Sequence, residues 1–125
     1  SQNIEKSKVQ KNNPNLIYKG DFQMQRTYNT KIINRSKNSN ALYIRLINPC
    51  PNPNTIALVI YDYTNCTPQI AYNTTLYLNA KSIKALTFPL VSQNYDDCLN
   101  IKIYRISYTT PNHFIQLSYK ELFIN

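Results

Sequence analysis

The residues of this chain whose types could do chemistry are Cys50, Cys66 and Cys98, the single histidine His113, and the adjacent pair Asp96 and Asp97. Zinc would want paired ligands at short spacing, and the chain has no C-x-x-C and one histidine. A cysteine nucleophile working with His113 and a carboxylate would need a cleft, and no stretch of the sequence predicts one. Calcium takes about six or more oxygens, which Asp96 and Asp97 cannot supply. The tripeptides beginning at Asn34, Asn65 and Asn73 fit the glycosylation acceptor pattern, as expected by chance in a chain rich in Asn and Thr. Tyr43, Tyr61, Tyr63, Tyr72 and Tyr104 are expected on exposed faces, where they could stack on sugars or bases or simply cover a sheet. No catalytic residue, metal ligand or cofactor site emerges. The expectation is a protein that is not an enzyme.

Disulfide chemistry remains. The strand expected at 56–63 ends just before Cys66, and the one at 99–108 begins just after Cys98. Running antiparallel side by side, they would bring both cysteines to one rim, within the Cα separation of roughly 4.4–6.8 Å that a bridge allows. Cys50 and Cys66 sit at opposite ends of one strand, roughly 20 Å apart. The expected bridge is therefore Cys66–Cys98. Cys50, in the proline-stiffened loop NPCPNPN, is left as a free or intermolecular thiol on an exposed turn. Three reduced cysteines in a cytosolic protein are the alternative.

The elements that must position these residues alternate with a period of two. ALYIRLI puts Leu42, Ile44 and Leu46 on one face, and NTIALVIYDY does the same with Ile56, Leu58 and Ile60. Further runs carry Phe22, Met24 and Tyr28; Leu76 and Leu78; Leu86, Phe88 and Leu90; Leu99, Ile101 and Ile103; and Ile115, Leu117 and Tyr119. Such runs, rich in β-branched and aromatic residues, read as half-buried strands. Between them, 34–40, 49–54, 64–69, 79–82, 92–97 and 109–112 carry turn chemistry. Asn and Asp there stand in for glycine, because their side chains bond local backbone and tolerate left-handed φ. About seven or eight short strands at this spacing predict an all-β fold. Residues 16–125 would form one antiparallel β-sandwich, jelly-roll or immunoglobulin-like.

Residues 1–15 are polar, with Ile4 and Val9 as isolated apolar points, and cannot bury a face of their own. They read as an extended arm, either a disordered tail or a connector that orders against another subunit. The formal charge is +8, but the lysines are scattered without the dense block that marks a nucleic-acid arm. Nucleic acid is disfavoured as a partner. No apolar run is long enough to span a bilayer, so no membrane insertion is expected.

The order of patterns through 41–108 is similar to one known family. A strand ending in INP at 47–49 leads through a polar loop to a strand ending in IYDY at 60–63. TLYL at 75–78, the turn NAKS at 79–82, LTFPL at 86–90 and CLNIKIY at 98–104 follow. This resembles the small β-sandwich proteins of the Bacillus and Clostridium spore surface, including endospore-appendage (spore pilus) subunits. The resemblance implies a jelly-roll subunit that stacks into a durable filament, extracellular or on the spore surface. Its partners would be copies of itself, with other spore-surface or anchoring proteins. In that family an N-terminal connector reaches into a neighbour and cysteine bridges lock the stack. The arm here lacks cysteine, so coupling would be by strand addition to an open sheet edge, with Ile4 and Val9 as anchors. Two alternatives stand beside this reading: a monomeric module binding carbohydrate or nucleic acid, and a viral capsid or decoration protein.

Overall fold

A computed structural model of the protein describes residues 25–94 and 97–123. The arm at 1–15 with Ile4 and Val9, the start of the alternation at Phe22 and Met24, and Asp96 lie outside the described residues.

Strands form where apolar and polar residues alternate. In chain order they are β1 (Arg26–Asn29), β2 (Ile33–Asn34), β3 (Ser39–Asn48), β4 (Asn54–Asp62) and β5 (Gln69–Leu78). They continue as β6 (Ser82–Pro89), β7 (Val91–Asn94), β8 (Asp97–Asn100), β9 (Ile103–Thr110) and β10 (Gln116–Phe123). The described residues contain no helix. One sheet runs β1-β9-β4-β5, with β2 lying beside β1 on the same edge of β9. The other runs β10-β3-β6, and β7 and β8 pair as a separate two-stranded unit. All pairings are antiparallel.

Both larger sheets feed one core, so the protein is all-β and sandwich-like. Leu42, Ile44 and Leu46 of β3 face Ile56, Leu58 and Ile60 of β4, all with at most 1% of their surface exposed. Each such side chain contributes about 1.5–3 kcal/mol through its removal from water. Leu76, Leu78, Phe88, Leu90, Ile101, Tyr104, Ile106 and Ile115 complete the cluster. The alternation expected for 42–46, 56–60 and 76–78 holds residue by residue.

It fails at 99–103. Leu99 belongs to β8, while Ile101 and Lys102 are outside any strand. The amide of Ile101 donates to the Leu90 carbonyl at 2.8 Å instead of to a ladder partner. That break reverses the phase, so β9 buries Tyr104 and Ile106 and leaves Ile103 half-buried. Of the residues 92–97 expected as a turn, 92–94 and 97 take part in the β7–β8 pairing, from Ser92↔Leu99 to Asn94↔Asp97. Turns elsewhere use left-handed backbone without glycine, at Asn38 (φ 72°), Cys66 (φ 70°) and Lys81 (φ 51°).

The sandwich has two poles. One carries the end of β3 at Asn48, the loop 49–53, the β5–β6 turn, the end of β9 and the start of β10. The other carries the start of β3 at Ser39, the ends of β4, β6 and β10, and the segments holding Cys66 and Cys98.

Candidate functional site

At the first pole Asn48, 1% exposed, holds three segments together. Its amide nitrogen donates to the carbonyls of Asn52 at 2.9 Å, Asn79 at 3.0 Å and Leu78 at 3.4 Å. Its amide oxygen accepts from the Cys50 backbone N–H at 3.0 Å. The Cys50 carbonyl then accepts from Lys81 N at 3.0 Å, and Asn112 Nδ2 donates to Cys50 Sγ at 3.1 Å. Cys50 is thus buried, not offered outward on an exposed turn. Asn48, the last residue of β3, folds the proline loop back over the core and takes the cysteine with it.

Cys66 and Cys98 are both exposed at the second pole, and all three cysteines are free thiols. The expected neighbours β4 and β9 do run antiparallel side by side, with Asp62 opposite Tyr104. Beyond that pair the strands stop sharing a ladder. The Thr64 hydroxyl caps the Lys102 amide at 2.8 Å, Cys66 turns with left-handed φ, and Cys98 is drawn into β8 opposite Gln93. The Cys66–Cys98 bridge is not formed in this arrangement.

A second polar cluster at this pole had no signal in the sequence. Glu121 of β10 accepts from the Tyr104 hydroxyl of β9 at 2.6 Å and from the Ser36 backbone N–H at 2.9 Å. Burial alone would raise the Glu121 pKa, but the hydrogen bonds from Tyr104 and Ser36 outweigh it and hold the carboxyl below its ordinary value. Tyr104 is pushed upward, first by burial and then by donating to that carboxylate. Tyr104, expected on an exposed face, is therefore a fully buried link between the sheets. Tyr43, Tyr61, Tyr63 and Tyr72 are half-buried. Arg35 lies beside this cluster, donating to the Ser39 carbonyl at 2.6 Å and to Asn100 Oδ1 at 3.3 Å.

Around the β10–β3 ladder, Tyr43, Arg45, Ser118, Tyr119 and Lys120 line a shallow recess of about 130 Å³. Lys120 Nζ sits 5.4 Å from the Tyr43 ring centroid, a cation–π distance. His113 is exposed against Phe114, with ring centroids 4.1 Å apart.

The strand edges differ in their protection. β6 carries Lys84 and Pro89, and β10 carries Lys120, residues that discourage another chain from pairing. β5 reads QIAYNTTLYL and has neither charge nor proline over its ten residues. Among the described residues it ends its sheet; Ile70 (59% exposed) and Tyr77 (56%) stand exposed on it, and Lys84 Nζ of β6 donates to the Tyr77 carbonyl at 3.0 Å. Among the described residues no helix is long and apolar enough to cross a membrane.

Comparison of the chain with protein-family models, with curated proteins and with solved structures brings no match.

Proposed function

We propose that the protein is a structural subunit that polymerises into an extracellular or spore-surface filament. Residues 1–15 of one copy add a strand to the sandwich of the next. The observation that carries this reading is β5: long, at a sheet edge, and without the charges or proline that solitary sandwiches use to block pairing. An edge on one copy and an arm on the next make a head-to-tail contact, which propagates into a fibre when its rotation does not close. Main-chain hydrogen bonds would supply affinity, and Ile4 and Val9 would anchor alternate side chains. The finer fold in this proposal is a jelly roll. In an immunoglobulin sandwich the final strand joins the sheet of its predecessor. Here β10 instead pairs with β3 while β9 pairs with β4, a departure from that order which supports the jelly-roll reading.

Electron microscopy of the full chain and of a form lacking residues 1–15 tests the proposal. Fibres from the full chain alone, with the shortened form still folded by circular dichroism, are expected. Fibres from both would remove the arm's role, and closed shells would favour a capsid or decoration protein. The recess at Tyr43, Arg45 and Lys120 supports the second reading, a carbohydrate- or nucleic-acid-binding module. Dispersed particles that bind a glycan or an oligonucleotide would favour it.

A further inference from the structure

The outer face of the β10-β3-β6 sheet carries positive charge and no negative charge. Leu42, Ile44 and Leu46 of β3 point to the core, so Tyr43 and Arg45 between them point outward. The register places Thr87 and Lys120 on either side of Tyr43, and Ala85 and Ser118 on either side of Arg45. The three strands contain one carboxylate, Glu121, which has the inward phase and is engaged with Tyr104 and Ser36. Their third cation, Lys84, also has the inward phase and donates to the Tyr77 carbonyl. Arg45 and Lys120 are therefore two exposed cations with no acid on their face to balance them.

The two charges converge on one place. Lys120 lies diagonally across the β10–β3 ladder from Arg45, a separation of about 7–8 Å that long side chains span. Like charges so placed repel, and a shared anion relieves the repulsion. The recess between them also receives Tyr43 and Ser118. Guanidinium and ammonium groups only donate, and the two hydroxyls are able to donate as well. Such a set of donors, with no carboxylate among them, suits an oxyanion, whose hydrogen bonds to charged groups are the strong ones.

We infer that this face binds an acidic polysaccharide, with one carboxylate or sulfate group of the chain seated between Arg45 and Lys120. The recess holds about 130 Å³, below the roughly 300–1,000 Å³ of a pocket that encloses a whole small molecule. It has room for one charged group while the rest of the ligand lies along the sheet. Thr87, Ser118 and Gln116, all exposed, offer hydroxyl and amide groups to the neighbouring sugar hydroxyls. Nucleic acid is the poorer occupant. Single strands are held by aromatic rings on which successive bases stack. Tyr43 is the one ring of the outward phase between Tyr43 and Ile47 and on the facing stretches of β6 and β10, and Lys120 Nζ stands 5.4 Å from its centroid.

This inference names a ligand class for the recess and does not rest on the filament proposal. Neither β5 nor residues 1–15 take part in it.

Binding of the full-length protein to surfaces coated with polygalacturonate, dextran sulfate or neutral dextran, at about 150 mM salt, tests it. The parent is expected to bind at least one acidic surface and not neutral dextran. The double variant Arg45→Gln with Lys120→Gln is expected to lose about tenfold or more in affinity. Both residues are exposed, so its thermal midpoint should match the parent's. The matched control Lys31→Gln with Lys37→Gln removes the same charge from exposed positions off this face and should lose less than about twofold. Equal losses in the two variants would overturn the inference by reducing it to net charge. Failure of the parent to bind either acidic surface, or tighter binding to a single-stranded oligonucleotide, would overturn it too. Microscopy of the same samples reports fibres independently, so either proposal can fail while the other stands.

Discussion

Glu121 reaches from β10 to a tyrosine of the opposite sheet and to a backbone amide ahead of β3. Removing the tyrosine hydroxyl by Tyr104→Phe leaves a part-buried carboxylate short of a donor, and a hydrogen bond to a charged group is worth about 1.5–3 kcal/mol. Denaturant unfolding at neutral pH is expected to show a loss of that order with an unchanged m-value. The folded-state pKa of Glu121 lies below its unfolded value, so the carboxylate stabilises the fold at pH above the unfolded pKa. That contribution fades as pH falls through the folded pKa. The variant and the parent should therefore differ at neutral pH and converge in acid. An equal gap at both ends of the titration would show that Tyr104 acts through packing alone. Nothing in the sequence announced this link. Glu121 and Ser36 are 85 positions apart; the period of two that runs through Ile115, Leu117 and Tyr119 puts Glu121 in the same phase but names no partner for it.

At the level of the strand, the edge of β5 is open to a direct trial. Thr75→Lys with Tyr77→Lys adds charge at two exposed positions on a strand that carries none of its own and leaves the core phase of Leu76 and Leu78 intact. Fibre formation, followed by light scattering, is expected to fall at least tenfold, while the thermal midpoint shifts by only a few degrees. Unchanged assembly would move the contact to another edge. Most strands were legible because burial on one face leaves its mark every second residue, as in Leu42, Ile44 and Leu46. The lost phase at 99–103 was not, because CLNIKIY alternates without interruption and the break comes from a tertiary bond, Ile101 N to Leu90 O. The fate of Cys50 was hidden for a similar reason. A loop of prolines and asparagines reads as exposed unless the buried donors of Asn48 are known.

For the whole molecule, the ladders join distant parts of the chain: β3 with β10, β4 with β9, and β1 with β9. Loop-closure entropy must be met before any of these contacts stabilises the chain, so folding belongs in the range of about milliseconds to seconds typical of all-β sandwiches. Stopped-flow refolding from denaturant should find it there; microsecond folding would contradict the dominance of these long-range pairings. The pairing of Ser39 with Phe123 has a further consequence during synthesis. A ribosome that has released residues up to the end of β6 has exposed β3 with one neighbour made and the other still untranslated. The sheet can close only after residue 123 clears the exit tunnel. Until then β3 presents a bare edge in the crowded space around the ribosome, where nascent copies on one message sit close together. Any polymer-forming tendency is thus held back in the half-made forms by the speed with which β10 arrives, so slow translation of residues 116–123 would favour aggregation.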